Sequence, residues 1–209
     1  SFRGYAGTSG TTDLDLGPGV DNHTPQNNSS GDVYVKKMNA DGGIAWTRTF
    51  GSTTGHFDSL GIAIDSQGNV YIAGVYSGSV DFDPGPGTNI HSSTNGNSNS
   101  VLVKLHADGS YGWTLSNSLV EAGGGFYTVT VDGNDDVYVS GSAQISALDA
   151  QISGTKQLDF DPTAGVDMIT MVGQPEGYVS KFHGDGSYAW TRVFSGHGTY
   201  TSSNVPISQ

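Results

Sequence analysis

The chain contains no cysteine, which excludes disulfides, thiol catalysis and cysteine-ligated zinc. That absence leaves the compartment open. Basic residues are scarce: 8 Lys and Arg stand against 20 Asp and Glu, for a formal charge of −12. Nucleic acid and anionic membranes are recognised by Lys/Arg clusters, so neither is expected as a partner. An acidic surface favours cations instead. No run of 18 or more apolar residues occurs, so no membrane insertion is expected. No signal peptide opens the sequence. Residues 1–5 read as the middle of a strand, so a processed or truncated start is expected.

Glycine, by contrast, is abundant, at 32 of 209 residues. In a helix, Gly costs about 1 kcal/mol, and Ser, Thr and Asn compete with the helical backbone for hydrogen bonds. The composition therefore suits short strands joined by tight turns. Ten Tyr, eight Phe and three Trp at regular places argue against disorder.

Three elements repeat in the same order. Residues 32–47, 100–114 and 177–191 are copies of one hairpin, each ending on a Trp: Trp46, Trp113 and Trp190. The turn aspartates Asp41, Asp108 and Asp185 are 67 and 77 residues apart. An acidic element reads Asp13-Leu14-Asp15, then Asp81-Phe82-Asp83-Pro84-Gly85, then Asp159-Phe160-Asp161-Pro162. A further hairpin occurs twice, at residues 61–74 and 127–141. Each full unit thus carries strand a (near 62–65), strand b (70–76), the Asp-rich loop, strand c (101–106) and strand d (111–116).

This pattern predicts an all-β chain of three tandem, four-stranded antiparallel repeats resembling propeller blades, not closed within the chain. Repeat 1 spans residues 1–54 and lacks its first strand. Repeat 2 spans 55–121. Repeat 3 spans 122–196, with a loop insertion near 143–157. Residues 197–209 form a tail, read as an exchanged strand.

Asp65-Ser66-Gln67-Gly68-Asn69-Val70-Tyr71, Val80-Asp81-Phe82-Asp83-Pro84-Gly85-Pro86-Gly87 and Val103-Lys104-Leu105-His106-Ala107-Asp108-Gly109-Ser110 followed by Trp113 resemble the bacterial seven-bladed β-propeller-type repeats of large secreted and surface proteins. The resemblance covers nearly the whole chain. It implies a secreted or cell-surface, non-catalytic repeat array and supplies no catalytic residues. Three units are too few to close a propeller, which needs about four to eight blades.

Residues i and i+2 of a strand share a face. Asp13 with Asp15, Asp81 with Asp83, and Asp159 with Asp161 would therefore present paired carboxylates. Hard oxygen ligands on a tight loop suit Ca²⁺, with Asp21, Asn89 and Asp167 as further donors. The competing reading is turn chemistry, in which Asp accepts local backbone hydrogen bonds. The three Trp are expected in packing between units, in preference to a sugar-stacking row. Lys37, Lys104 and Lys181 also recur, with the Asp loops or solvent as their expected surroundings. Asn22, Asn27 and Asn28 head glycosylation acceptor triplets. No nucleophile elbow, P-loop, dinucleotide fingerprint or HExxH pattern occurs.

The expected function is that of a non-catalytic extracellular structural or adhesive repeat protein. Its partners would be copies of itself, joined head to tail by strand addition into a filament. The alternative is a glycan- or ligand-binding propeller module of a longer secreted protein. An exposed aromatic in a concave site would favour the alternative. A polar pocket present in one unit alone would favour an enzyme.

Overall fold

The computed structural model describes residues 10–15, 17–26, 32–93, 97–118, 124–145, 154–172 and 175–194. Among these residues the protein is entirely β, with antiparallel sheets, none closed into a barrel, and no helix. A short hairpin, β1 (Thr12–Asp13) with β2 (Asn22–His23), precedes β3 (Val33–Met38) and β4 (Ile44–Phe50). Then come β5 (His56–Ile64), β6 (Val70–Ser77), the small hairpin β7 (Ser79–Asp81) and β8 (Ile90–Ser92), β9 (Asn99–Leu105) and β10 (Tyr111–Asn117). The same series recurs as β11 (Gly125–Val131), β12 (Val137–Ala143), β13 (Lys156–Asp159), β14 (Met168–Met171), β15 (Glu176–Phe182) and β16 (Tyr188–Phe194).

Two sheets are four-stranded, in the orders β10-β9-β6-β5 and β11-β12-β15-β16. They are the second and third units, each an a-b-c-d meander. The first unit shows a two-stranded sheet, β3-β4, among the described residues. Its strand b, expected around Gly4 and Tyr5, lies outside them, as do the tail at 197–209 and most of the insertion near 143–157.

Two features differ from the sequence reading. Strand a starts earlier, at His56, because the β5–β6 register shifts between Ser59 and Gly61 and the strand continues past the bulge. The b–c connection, expected as a loop, is a two-stranded hairpin in every unit. Its turn closes on the same bond each time: Leu14 N–H to the Asp21 carbonyl (2.8 Å), Phe82 N–H to Asn89 (2.9 Å) and Phe160 N–H to Asp167 (3.0 Å).

The hydrophobic cores lie between units. One joins Val33, Val35, Trp46 and Phe50 of the first unit to Phe57, Val70, Ile72, Tyr76 and Phe82 of the second. The other joins Tyr71, Ala73 and Leu102 of the second unit to Phe126, Val137, Val139 and Tyr178 of the third. Strand β6 serves both. Val70 and Ile72 point one way, and Tyr71 and Ala73 the other, which is why it reads as an unbroken apolar run. The stack is thus held by nearest-neighbour interfaces, as in a repeat protein.

Candidate functional site

The acidic hairpins form one recurring site. Between each Asp pair, the middle residue enters the core: Leu14, Phe82 and Phe160 are all buried. Phe82 meets the rings of Phe50, Phe57 and Tyr76 at 5.2 to 6.5 Å. Burial of that residue turns the flanking aspartates outward on one face, as strand alternation requires.

The first Asp of each pair staples the turn. Asp13 Oδ1 accepts the N–H groups of Asp15 (2.9 Å) and Asp21 (2.8 Å). Asp81 Oδ1 accepts those of Asp83 (3.0 Å) and Asn89 (2.7 Å), and Asp159 Oδ1 those of Asp161 (3.0 Å) and Asp167 (2.8 Å). The N–H of Asp21 and then that of Asp15 hold the Asp13 carboxyl below its usual range. The second Asp folds over the following turn: Asp15, Asp83 and Asp161 accept from the N–H of Gly17, Gly85 and Thr163. Its other oxygen occupies the place where a side chain at Gly19, Gly87 or Gly165 would project, which accounts for glycine there.

Among the described residues, no three acidic or His side chains converge as a metal-holding group. The oxygens left over by these turns, on exposed or half-exposed loops, are what the site offers a cation. Asn22 sits exposed in β2; Asn27 and Asn28 lie outside the described residues.

A second recurring site was only partly legible. Lys37 and Trp46 are cross-strand partners in β3 and β4. Both donate to the carbonyl of Ala107, in the c–d turn of the next unit, at 2.9 and 3.0 Å. Arg48 adds bonds to the carbonyls of Gly109 (2.7 Å) and Asp108 (3.3 Å). At the next junction, Lys104 and Trp113, again cross-strand partners, donate to the Gly184 carbonyl at 2.6 and 3.3 Å. The lysines therefore engage turn carbonyls, in place of the Asp loops or solvent expected for them. Trp46 is 9% exposed and serves packing between units.

In the third unit, the partners Lys181 and Trp190 have no following turn among the described residues. Lys181 instead pairs with Asp136 in the a–b turn of its own unit (2.7 Å), which also meets His183 Nδ1 at 2.7 Å. These bonds, that from Lys181 first, hold the Asp136 carboxyl low, and Lys181 is pushed upward in return.

The a–b turns form the third contact between units. Asp65 Oδ1 accepts the N–H groups of Gln67 (3.0 Å) and Asn69 (2.8 Å), and Asp132 Oδ1 those of Asn134 and Asp136. Asp135 takes the left-handed conformation (φ 62°) at the position that Gly68 holds in the second unit. From there its carboxylate accepts both the N–H (2.8 Å) and the hydroxyl (2.6 Å) of Ser66.

The sequence offered one usable signal for the Lys–Trp pairs. The two residues lie nine apart in all three copies, straddling a hairpin turn. Nothing local marked Arg48, or the carbonyl they share. No protein-family model matches the chain, and no curated protein matches it.

Proposed function

We propose that this is a non-catalytic, extracellular structural repeat protein of propeller-blade-like units, which assembles head to tail into filaments. The supporting observation is repetition of one contact. Each four-stranded or partial sheet presents Lys and Trp to the c–d turn of the next, at both junctions in the chain. Repeated interfaces propagate a stack; an active site needs only one arrangement. The location outside the cell rests on the resemblance of the acidic repeats to those of secreted and surface proteins. Calcium belongs to the proposal as a ligand of the oxygens that the Asp13, Asp81 and Asp159 hairpins leave over.

Negative-stain electron microscopy of the purified chain at increasing concentration tests this reading. Filaments with a regular axial repeat are expected. Dispersed single molecules at every concentration would sink it.

A further inference from the structure

The two internal junctions obey a sequence rule. Where the donor sheet carries Lys, Trp and Arg (Lys37, Trp46, Arg48), the turn it holds is Ala107-Asp108-Gly109. Where the donor sheet has Leu115 at the Arg position, the turn is Gly184-Asp185-Gly186. One donor set and one turn remain without such a counterpart among the described residues. The donor set is Lys181, Trp190 and Arg192, matching the first unit residue for residue. The turn is Ala40-Asp41-Gly42, identical to the one the first unit's set holds.

The surroundings of the turns agree. All three turns have one geometry, with Gly42, Gly109 and Gly186 at φ of 89°, 80° and 91°. The same backbone bond closes each, from the N–H of Asn39 to the carbonyl of Gly43, His106 to Ser110, and His183 to Ser187, at 2.8 to 2.9 Å. A side chain at Gly109 would meet Trp46 at 2.8 Å, and one at Gly186 would meet Trp113 at 3.1 Å. At Gly42 it would meet nothing within 4 Å among the described residues.

In its ring and cation stacking, the outer face of the third unit is arranged as the inner ones are, with Lys181 held meanwhile by Asp136. Trp190 packs against Tyr138 at 6.1 Å, as Trp113 does against Tyr71 at 5.9 Å. Lys181 lies over the Tyr138 ring at 5.2 Å, as Lys104 lies over Tyr71 at 5.3 Å. Arg192 covers Trp190 at 5.1 Å, as Arg48 covers Trp46 at 5.6 Å. Yet Tyr138 and Val179 are only half-buried, while the matching Tyr71 and Leu102 are fully buried under the third unit. The face is also more polar, with Ser140 in place of Ala73 and Arg192 in place of Leu115. That composition suits a surface that meets water before it meets a partner.

We propose that this outer face binds the first unit of a second copy of the chain, with Lys181 and Trp190 donating to the carbonyl of the second copy's Ala40 and Arg192 donating to that of its Gly42. The contact continues the internal stacking rule across molecules, and it rests on the head-to-tail reading of the function. It is heterologous, so repetition extends a line of molecules without closing it by symmetry.

Sedimentation velocity on the full chain and two variants tests it. Trp190→Ala removes the donor face. Gly42→Asn blocks the turn while keeping a residue that tolerates a left-handed backbone. A Cβ at Gly42 meets nothing within 4 Å among the described residues, so that variant keeps the circular dichroism of the parent, while its left-handed backbone (φ 89°) lowers the melting temperature slightly. Each variant alone is expected to self-associate about tenfold or more weakly than the parent. Mixed in equal amounts, they complement: Gly42→Asn supplies an intact face, Trp190→Ala an intact turn, and growth stops at dimers. If the parent assembles and both variants assemble equally well, this interface is wrong and the filament reading stands. If the parent remains monomeric at every concentration, with residues 195–209 of the same molecule over Trp190 or with nothing there, both fall.

Discussion

Lys37 Nζ and Trp46 Nε1, opposite each other on adjacent strands, donate to a single acceptor, the carbonyl of Ala107, at 2.9 and 3.0 Å. A turn carbonyl has two lone pairs, and the hairpin presents one donor for each. The pair thus acts as a clamp on a residue 61 positions from one donor and 70 from the other. Trp46→Ala removes a buried ring as well as a bond and should cost roughly 3–5 kcal/mol. Trp46→Phe, which keeps the ring, should cost about 1–2 kcal/mol. Trp190→Ala, on the half-exposed outer face, should cost the monomer under about 1 kcal/mol. Urea denaturation of the three variants checks the order. Equal losses at Trp46 and Trp190 would contradict the packing described.

Asp135 holds a left-handed backbone that its neighbour copy assigns to Gly68. Its two bonds to Ser66 offset that strain by tying the second and third units together. Asp135→Ala loses both bonds and keeps the strained conformation, so a loss of about 2–3 kcal/mol is expected. Asp135→Asn tolerates the conformation and retains an acceptor, and should stay within about 1 kcal/mol of the parent. Thermal unfolding distinguishes the two; an Ala variant as stable as the parent would remove Asp135 from the junction.

At the acidic hairpins, backbone and cation make separable demands. Asp81 Oδ1 serves the N–H groups of Asp83 and Asn89, an acceptor role that Asn performs equally well. Asp81→Ala should lower the melting temperature in any buffer. Asp81→Asn should match the parent in EDTA and fall below it in calcium, because a bound ion adds stability to the folded state alone. If the Asn variant matches the parent in both buffers, the hairpin is a turn and nothing more.

Glu176 and the turn aspartates respond to pH in opposite senses. Glu176 is buried, Oε2 has no hydrogen-bond partner among the described residues, and burial raises its pKa above the usual 4.5. For an acid with a raised folded pKa, stability falls as pH climbs past 4.5. Glu176→Gln should therefore raise the melting temperature at pH 7, by about 2–4 °C, and have no such benefit in acid. Burial acts upward on Asp65, but the bonds from Asn69, Tyr71 and Gln67 outweigh it and leave the carboxyl low. Asp132 is held low chiefly by the N–H of Asn134, and Asp136 chiefly by Lys181. Their stabilisation is complete above the ordinary aspartate value of 3.8 and is lost as pH falls through the lower folded values. Calorimetry across the acid range should show melting temperatures dropping below about pH 4. A Glu176→Gln variant whose gain persists in acid would assign its effect to packing instead of charge.

What the sequence determined by itself was local. Alternation of apolar residues and Gly/Asp turns placed the strands at 70–76, 101–106 and 111–116 to within a residue or two, because strand and turn preferences act between near neighbours. It pointed to the two four-stranded units that the structure shows and to the outward face of each Asp pair, since a period of two follows from the pleat alone. It also gave both readings of the Asp loops, but could not show that Asp81 Oδ1 reaches across eight residues to Asn89 and makes the connection a hairpin. Only the tertiary structure decided the destinations of Lys37, Lys104 and Arg48. Long cationic side chains reach acceptors that stacking brings near, and stacking depends on which face of each sheet is buried. The same holds for Tyr71 and Tyr138, which occupy matching places in strand b and differ in burial. One lies beneath another unit and, among the described residues, the other does not, a distinction set by neighbours in space.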